Sequence, residues 1–202
     1  IAGHLLAASV MSAPAALAIA KIIYPETKKS ETHGDLKVHI DKTSSNAMEA
    51  LGNGATDGLK LAANVAAMLI AFVSIVAMCN YLLSFAGTSL ESILGIIFKP
   101  LAWSMGIPWN EAGSMGILMG KKIVFTELIA YGDLKDLIIN GEISSRTAII
   151  ASYALCGFAN FGSIGIQLGG IGGMAPERKK DLAGLVTKAM IGGALASWLT
   201  AT

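Results

Sequence analysis

Ala148-Ile149-Ile150-Ala151-Ser152-Tyr153-Ala154-Leu155-Cys156-Gly157-Phe158-Ala159-Asn160-Phe161-Gly162-Ser163-Ile164-Gly165-Ile166-Gln167-Leu168-Gly169-Gly170-Ile171 is an uncharged, largely apolar run. A bilayer core is roughly 30 Å thick, and a helix needs about 20 apolar residues to cross it. The run is long enough. Inside a bilayer every backbone amide needs a protein partner, because water does not supply one. Gly157, Asn160, Gly162 and Ser163 in the middle of the run are a poor choice for a plain span. They suit a helix that opens at mid-depth and offers polar groups, as the broken helices of many secondary transporters do.

The rest of the chain agrees with a membrane setting. Of 202 residues, 53% are hydrophobic and 14% charged, against about 25% charged in soluble domains. The fold class is an all-α polytopic membrane protein. The net charge of +1 gives no reason to expect nucleic acid as a partner. Cys79 and Cys156 lie in separate apolar segments and read as buried structural thiols. His4, His33 and His39 do not cluster at ligand spacing. No cofactor or protein-held metal is expected from these residues. The text is apolar at both ends (Ile1-Ala2-Gly3 and Leu199-Thr200-Ala201-Thr202), which reads as the C-terminal part of a longer polypeptide.

Working outward, residues 1–23 form a spanning helix kinked at Pro14. Residues 24–58 hold a charged aqueous loop over 24–45 and a short interfacial helix over 46–57. Residues 59–106 hold a spanning helix over 59–83 and a second interfacial helix over 89–105, near Trp103 and Trp109. In residues 107–140, the stretches 111–124 and 127–138 are each too short to span. In succession they predict a re-entrant hairpin with its tip at Phe125-Thr126-Glu127. Residues 132–145 read as polar and loop-like. Residues 141–202 hold the broken span, a Gly- and charge-rich loop over 169–181, and a last spanning helix over 182–202. Lys28, Lys29, Lys37 and Lys42, with Arg178, Lys179 and Lys180, put the two basic loops in the cytoplasm by the positive-inside rule.

Glu127 is the sharpest candidate for chemistry. It stands between Ile123-Val124-Phe125-Thr126 and Leu128-Ile129-Ala130. An acid at the centre of a membrane helix costs about 2.5 kcal/mol or more. At mid-depth it needs a hydroxyl, a cation or a proton; at an interfacial hairpin end it is simply solvated. Asn160 and Ser163 are three apart and share a helix face. With a carboxylate they suit a diol, since each hydrogen bond to a charged group contributes about 1.5–3 kcal/mol. Inter-helix hydrogen bonding explains them equally well. Phe158 can pack against a planar ring, or against lipid and core.

Four stretches resemble the concentrative nucleoside transporters. They are His4-Leu5-Leu6-Ala7-Ala8-Ser9-Val10-Met11-Ser12-Ala13-Pro14, Tyr24-Pro25-Glu26-Thr27, Gly106-Ile107-Pro108-Trp109-Asn110-Glu111-Ala112 and Tyr153 to Ser163. The resemblance covers essentially the whole chain and looks like the C-terminal region of a bacterial member. It implies a homotrimeric, cation-coupled nucleoside symporter of the bacterial inner membrane, with a mobile transport domain moving against a scaffold. It implies that Glu127, Asn160 and Ser163 hold ribose, and that Phe158 and Leu61 of the scaffold helix lie near the base. The family's Asn-Glu motif reads Thr126-Glu127 here, which keeps a hydroxyl and loses an amide. The family's first hairpin, with its base-reading residues and sodium site, has no counterpart in these residues. The coupling ion, sodium or else a proton, is therefore expected to be bound mainly outside this segment. An intramembrane enzyme using Glu127 as a base would need a nucleophile or metal cluster, which the sequence does not offer. A channel or a structural module is the remaining alternative.

Overall fold

The protein is described by a computed structural model over residues 2–27 and 45–202. The charged stretch with His33, His39, Lys28, Lys29, Lys37 and Lys42 lies outside the described residues. Among the described residues the secondary structure is helical: α1 (Ala2–Ile23), α2 (Ala47–Ser84), α3 (Leu90–Ser104), α4 (Trp109–Val124), α5 (Glu127–Ile139), α6 (Ser145–Ala154), α7 (Phe161–Met174) and α8 (Lys179–Ala201). A single 3-10 turn, Pro176–Arg178, joins the last two.

Among the described residues three helices are long and apolar enough to cross a membrane: Gly3–Ile23, Ala47–Ser84 and the segment Pro176–Ala201. Helix ends are set by local chemistry. The Asn46 side chain accepts from the Glu49 amide and starts α2; Ser144 does the same for α6 through the Thr147 amide. The hairpin is present as expected, with α4 and α5 separated by Phe125 and Thr126.

Three readings of the sequence need correction. The separate interfacial helix over 46–57 does not exist as an element: it is the first third of α2, which runs unbroken through Asp57 and Gly58. Glycine weakens a helix by only about 1 kcal/mol, and the strong apolar stretch beyond carries the helix through. Residues 132–139 are the second half of α5, and the loop begins only at Asn140. Residues 169–174 continue α7, and α8 starts at Lys179. The glycines there are not turn residues. They let helices approach: a Cβ on Gly169 would stand 3.2 Å from the Asn64 carbonyl oxygen of α2, and one on Gly165 3.1 Å from that of Met68.

The helices pack as antiparallel or crossed pairs, α1 with α8, α2 with α7, and α3 with α4. The α3 helix forms the floor under the hairpin. Gly95 of α3 meets Gly116 of α4, and Gly120 meets Glu91. The main core gathers Ala102, Met115, Met119, Leu134, Leu155 and Trp198 from α3, α4, α5, α8 and the α6–α7 junction. Outside its contact with α7, α2 leaves Ile70, Val73, Ile75, Met78 and Leu82 exposed, an apolar surface compatible with a membrane setting.

Candidate functional site: a hairpin tip against a broken helix

The site begins with the interruption. Helix α6 stops at Ala154 and α7 starts at Phe161. Between them Gly157 adopts φ +109°, a region that side chains disfavour. We expect Gly157→Ala to lower stability by about 1–3 kcal/mol, read as a fall in thermal midpoint in detergent. The break leaves carbonyls without partners at the end of α6 and amides without partners at the start of α7.

Each end is satisfied by the chemistry it needs. At the start of α7, Asn160 is the N-cap: its Oδ1 accepts from the Ser163 amide at 2.7 Å. Ser163 Oγ accepts from the Asn160 amide at 3.2 Å and donates to the Asn160 carbonyl at 2.6 Å. Both residues are buried. Their three-residue spacing is thus a reciprocal capping box, which sharpens the sequence reading of a shared helix face.

The hairpin straddles the break. Glu127 is the first residue of α5, at the tip, and half-buried. The Asn160 amide Nδ2 donates to Glu127 Oε2 at 3.4 Å. On the other side, the Tyr131 hydroxyl of α5 donates to the Ser152 carbonyl in the last turn of α6 at 2.7 Å. Lys122 of α4 is 0% exposed, and its Nζ donates to Ala154 O at 2.9 Å. An acceptor therefore faces the positive end of α7, and donors face the negative end of α6. Loss of the Tyr131 donor in Tyr131→Phe should cost about 1–3 kcal/mol and lower the thermal midpoint without removing the tip carboxylate.

The structure brings Glu127, Asn160 and Ser163 together. Phe158 is in the break, 52% exposed. Leu61 is not in this cluster: it faces Gly170, whose added Cβ would lie 3.7 Å from Leu61 Cδ1. Gly170 is ten residues past Asn160, about 15 Å along α7. The α2 residue beside the start of α7 is Leu69, 3.2 Å from a Cβ on Gly162. Sequence reasoning missed Lys122, Tyr131 and Leu69. The signal for Lys122 was available, since a lysine in a short apolar hairpin arm invites a search for its partner. Among the described residues no group of three His, Cys, Asp or Glu side chains stands together to hold a metal.

Comparison with known proteins assigns the arrangement. The family described as "Na+ dependent nucleoside transporter C-terminus" matches residues 4–202. The uncharacterized transporter YutK of Bacillus subtilis is 47% identical over 98% of this chain and 50% of its own length. The nucleoside permease NupC of Helicobacter pylori is 41% identical over 98% of this chain and 49% of its own. The chain thus spans about half the length of these curated relatives. A CNTnw variant in an outward-facing state superposes with a TM-score of 0.86 at 38% identity, over 98% of this chain and 49% of that one. CNTnw in an inward-facing substrate-bound state gives 0.73 at 41% identity, with the same coverage. These relatives are transporters, not enzymes. The chain belongs to the Na+-dependent nucleoside transporter family, the concentrative nucleoside transporters, and matches the C-terminal region of its members.

Proposed function

We propose that the protein carrying this chain is a sodium-coupled nucleoside symporter working by alternating access, and that this chain contributes the ribose half of its site. The observation that carries the reading is the meeting of Glu127 and Asn160 at 3.4 Å, from two separate elements. That long hydrogen bond is a weak one. Two ribose hydroxyls replace it favourably, donating to the carboxylate and accepting from the amide. Ser163 keeps Asn160 in place, and its Oγ has one acceptor lone pair left for the sugar. Phe158, half-exposed beside Asn160, lies toward the base.

Leu61 enters the site through movement. For it to stand where Leu69 now faces Gly162, α7 must travel eight residues of α2, about 12 Å. The glycine face of α7 against α2 presents few side chains to obstruct such a slide. The closer match to an outward-facing structure than to the inward-facing one supports the same reading: the α7 unit here stands at one end of its travel. The assembly is proposed to be a homotrimer in a bacterial inner membrane.

The test is uptake of labelled uridine by the full-length protein in proteoliposomes under an inward sodium gradient. Saturable accumulation of unchanged uridine above its external concentration, lost without the gradient, is expected. Equilibration alone would point to a channel, and no uptake of any nucleoside would refute the reading.

A further inference from the structure

Lys122 is a buried charge whose hydrogen bonds go to the break and to α8 rather than to Glu127, Asn160 or Ser163. Its ammonium has three N–H donors, and the structure gives it three oxygen partners: Ala154 O at 2.9 Å, Cys156 O at 3.4 Å and Ser197 Oγ at 2.6 Å. Ser197 spends its own proton on the Ala194 carbonyl at 2.8 Å, so a lone pair faces the ammonium. Ala154 is the last residue of α6, and Cys156 is in the break. No further helical turn follows to supply donors to these carbonyls. They stand at the negative end of the α6 dipole.

Two main-chain carbonyls at the end of an interrupted half-helix, with a hydroxyl from a neighbouring helix, make an oxygen set suited to a small monovalent cation. Unwound carbonyls and half-helix C-termini coordinate sodium in transporters built from broken helices. We propose that Lys122 is a resident cation for this break. Its tethered ammonium fills the position that a mobile ion would otherwise take, so the α6–α7 break keeps its cation in both directions of transport and gains none from solution. This builds on the transporter reading but concerns an ion site, and its test does not depend on which solute is carried.

The position on the hairpin adds a mechanical consequence. Lys122 is on α4, whereas its acceptors are on α6, the break and α8. The ammonium thus fastens the hairpin to both broken-helix and α8 elements, so that they move as one body. A mobile ion at the same place would allow the hairpin to part from the break whenever it left.

The experiment compares Lys122→Ala, which opens the oxygen cage, with Lys122→Met, which fills it without charge. Full-length protein in detergent is heated in sodium, methylammonium or choline chloride at one ionic strength. The Ala variant should unfold below the parent in choline and regain roughly 3–5 °C in methylammonium or sodium beyond any shift of the parent. The Met variant should regain nothing. In uptake, the Ala variant should depend more steeply on sodium than the parent. The proposal is overturned if the Ala variant responds to small cations no more than the parent does, or if the Met variant responds equally. It is also overturned if the Ala variant yields no folded protein in any of the three salts. Because the thermal readout needs no nucleoside, a negative result here leaves the transport reading standing, and failure of uridine uptake leaves this one standing.

Discussion

Glu127→Gln should weaken uridine binding and uptake by roughly 100-fold while leaving the protein folded. The magnitude follows from hydrogen-bond chemistry. A carboxylate accepting from two ribose hydroxyls contributes about 1.5–3 kcal/mol for each bond. The amide keeps one acceptor oxygen and turns the other toward the sugar as a donor, so close to one charged bond and part of another are lost. At about 1.4 kcal/mol per tenfold, a loss near 2.8 kcal/mol gives the stated factor. Folding should survive, because the hydrogen bond that Glu127 makes in the structure is the long 3.4 Å contact with Asn160, which a glutamine oxygen preserves, and Lys122 keeps its three oxygen partners in the break and α8. Size-exclusion behaviour and thermal midpoint check the folded state. The concentration dependence of uptake checks the binding loss. Parent-like uptake by the Gln variant would remove Glu127 from the sugar site.

Gly116→Ala should be the most damaging added methyl among the described glycines. A Cβ there would stand 2.4 Å from the Gly95 carbonyl oxygen and 3.1 Å from the Lys99 amide, so α3 must move off α4 as a unit. Both neighbours are backbone, which cannot turn aside as a flexible side chain can. Overpacking of this sort costs about 3 kcal/mol. For a chain of this size about 2–4 °C of thermal midpoint follows each kcal/mol, so a fall of roughly 10 °C is expected. The effect should pass to transport as well, because α3 supports the arm that carries Lys122 to the break. Gly113→Ala, one turn earlier on the same helix and with nothing within 4 Å, is the control and should shift the midpoint little.

Reading the sequence was most successful where the bilayer imposes one answer. The short stretches on either side of Phe125-Thr126 and the interruption at Gly157 were legible because an apolar run of the wrong length, or with polar groups at its centre, has few ways to satisfy its backbone. The helix limit at Asp57-Gly58 was misread because the apolar stretch beyond outweighs the small helix penalty of glycine; the limit at Gly169-Gly170 was misread for a packing reason. Glycine was treated as a local signal, but at Gly165 and Gly169 its value is in the space it leaves for α2, which only the packed pair reveals. The same limit applies to the site. Asn160 and Ser163 are three apart in sequence, and their capping box is a local matter. The grip of Lys122 on Ala154, 32 residues away, and on Ser197, 75 away, is not. Leu61 shows a further limit, because its place depends on where the moving body stands along α2.

A double-mutant cycle in equilibrium binding of labelled uridine to the purified full-length protein is the direct test of a sugar site shared by hairpin tip and broken helix. It uses Glu127→Gln, Asn160→Ala and the pair. A shared diol couples them, so the losses should depart from additivity by about 1 kcal/mol or more, within the range for residues that act on one ligand. Losses that add to within about 0.5 kcal/mol, or single variants that bind as the parent does, would contradict a site built from these two elements.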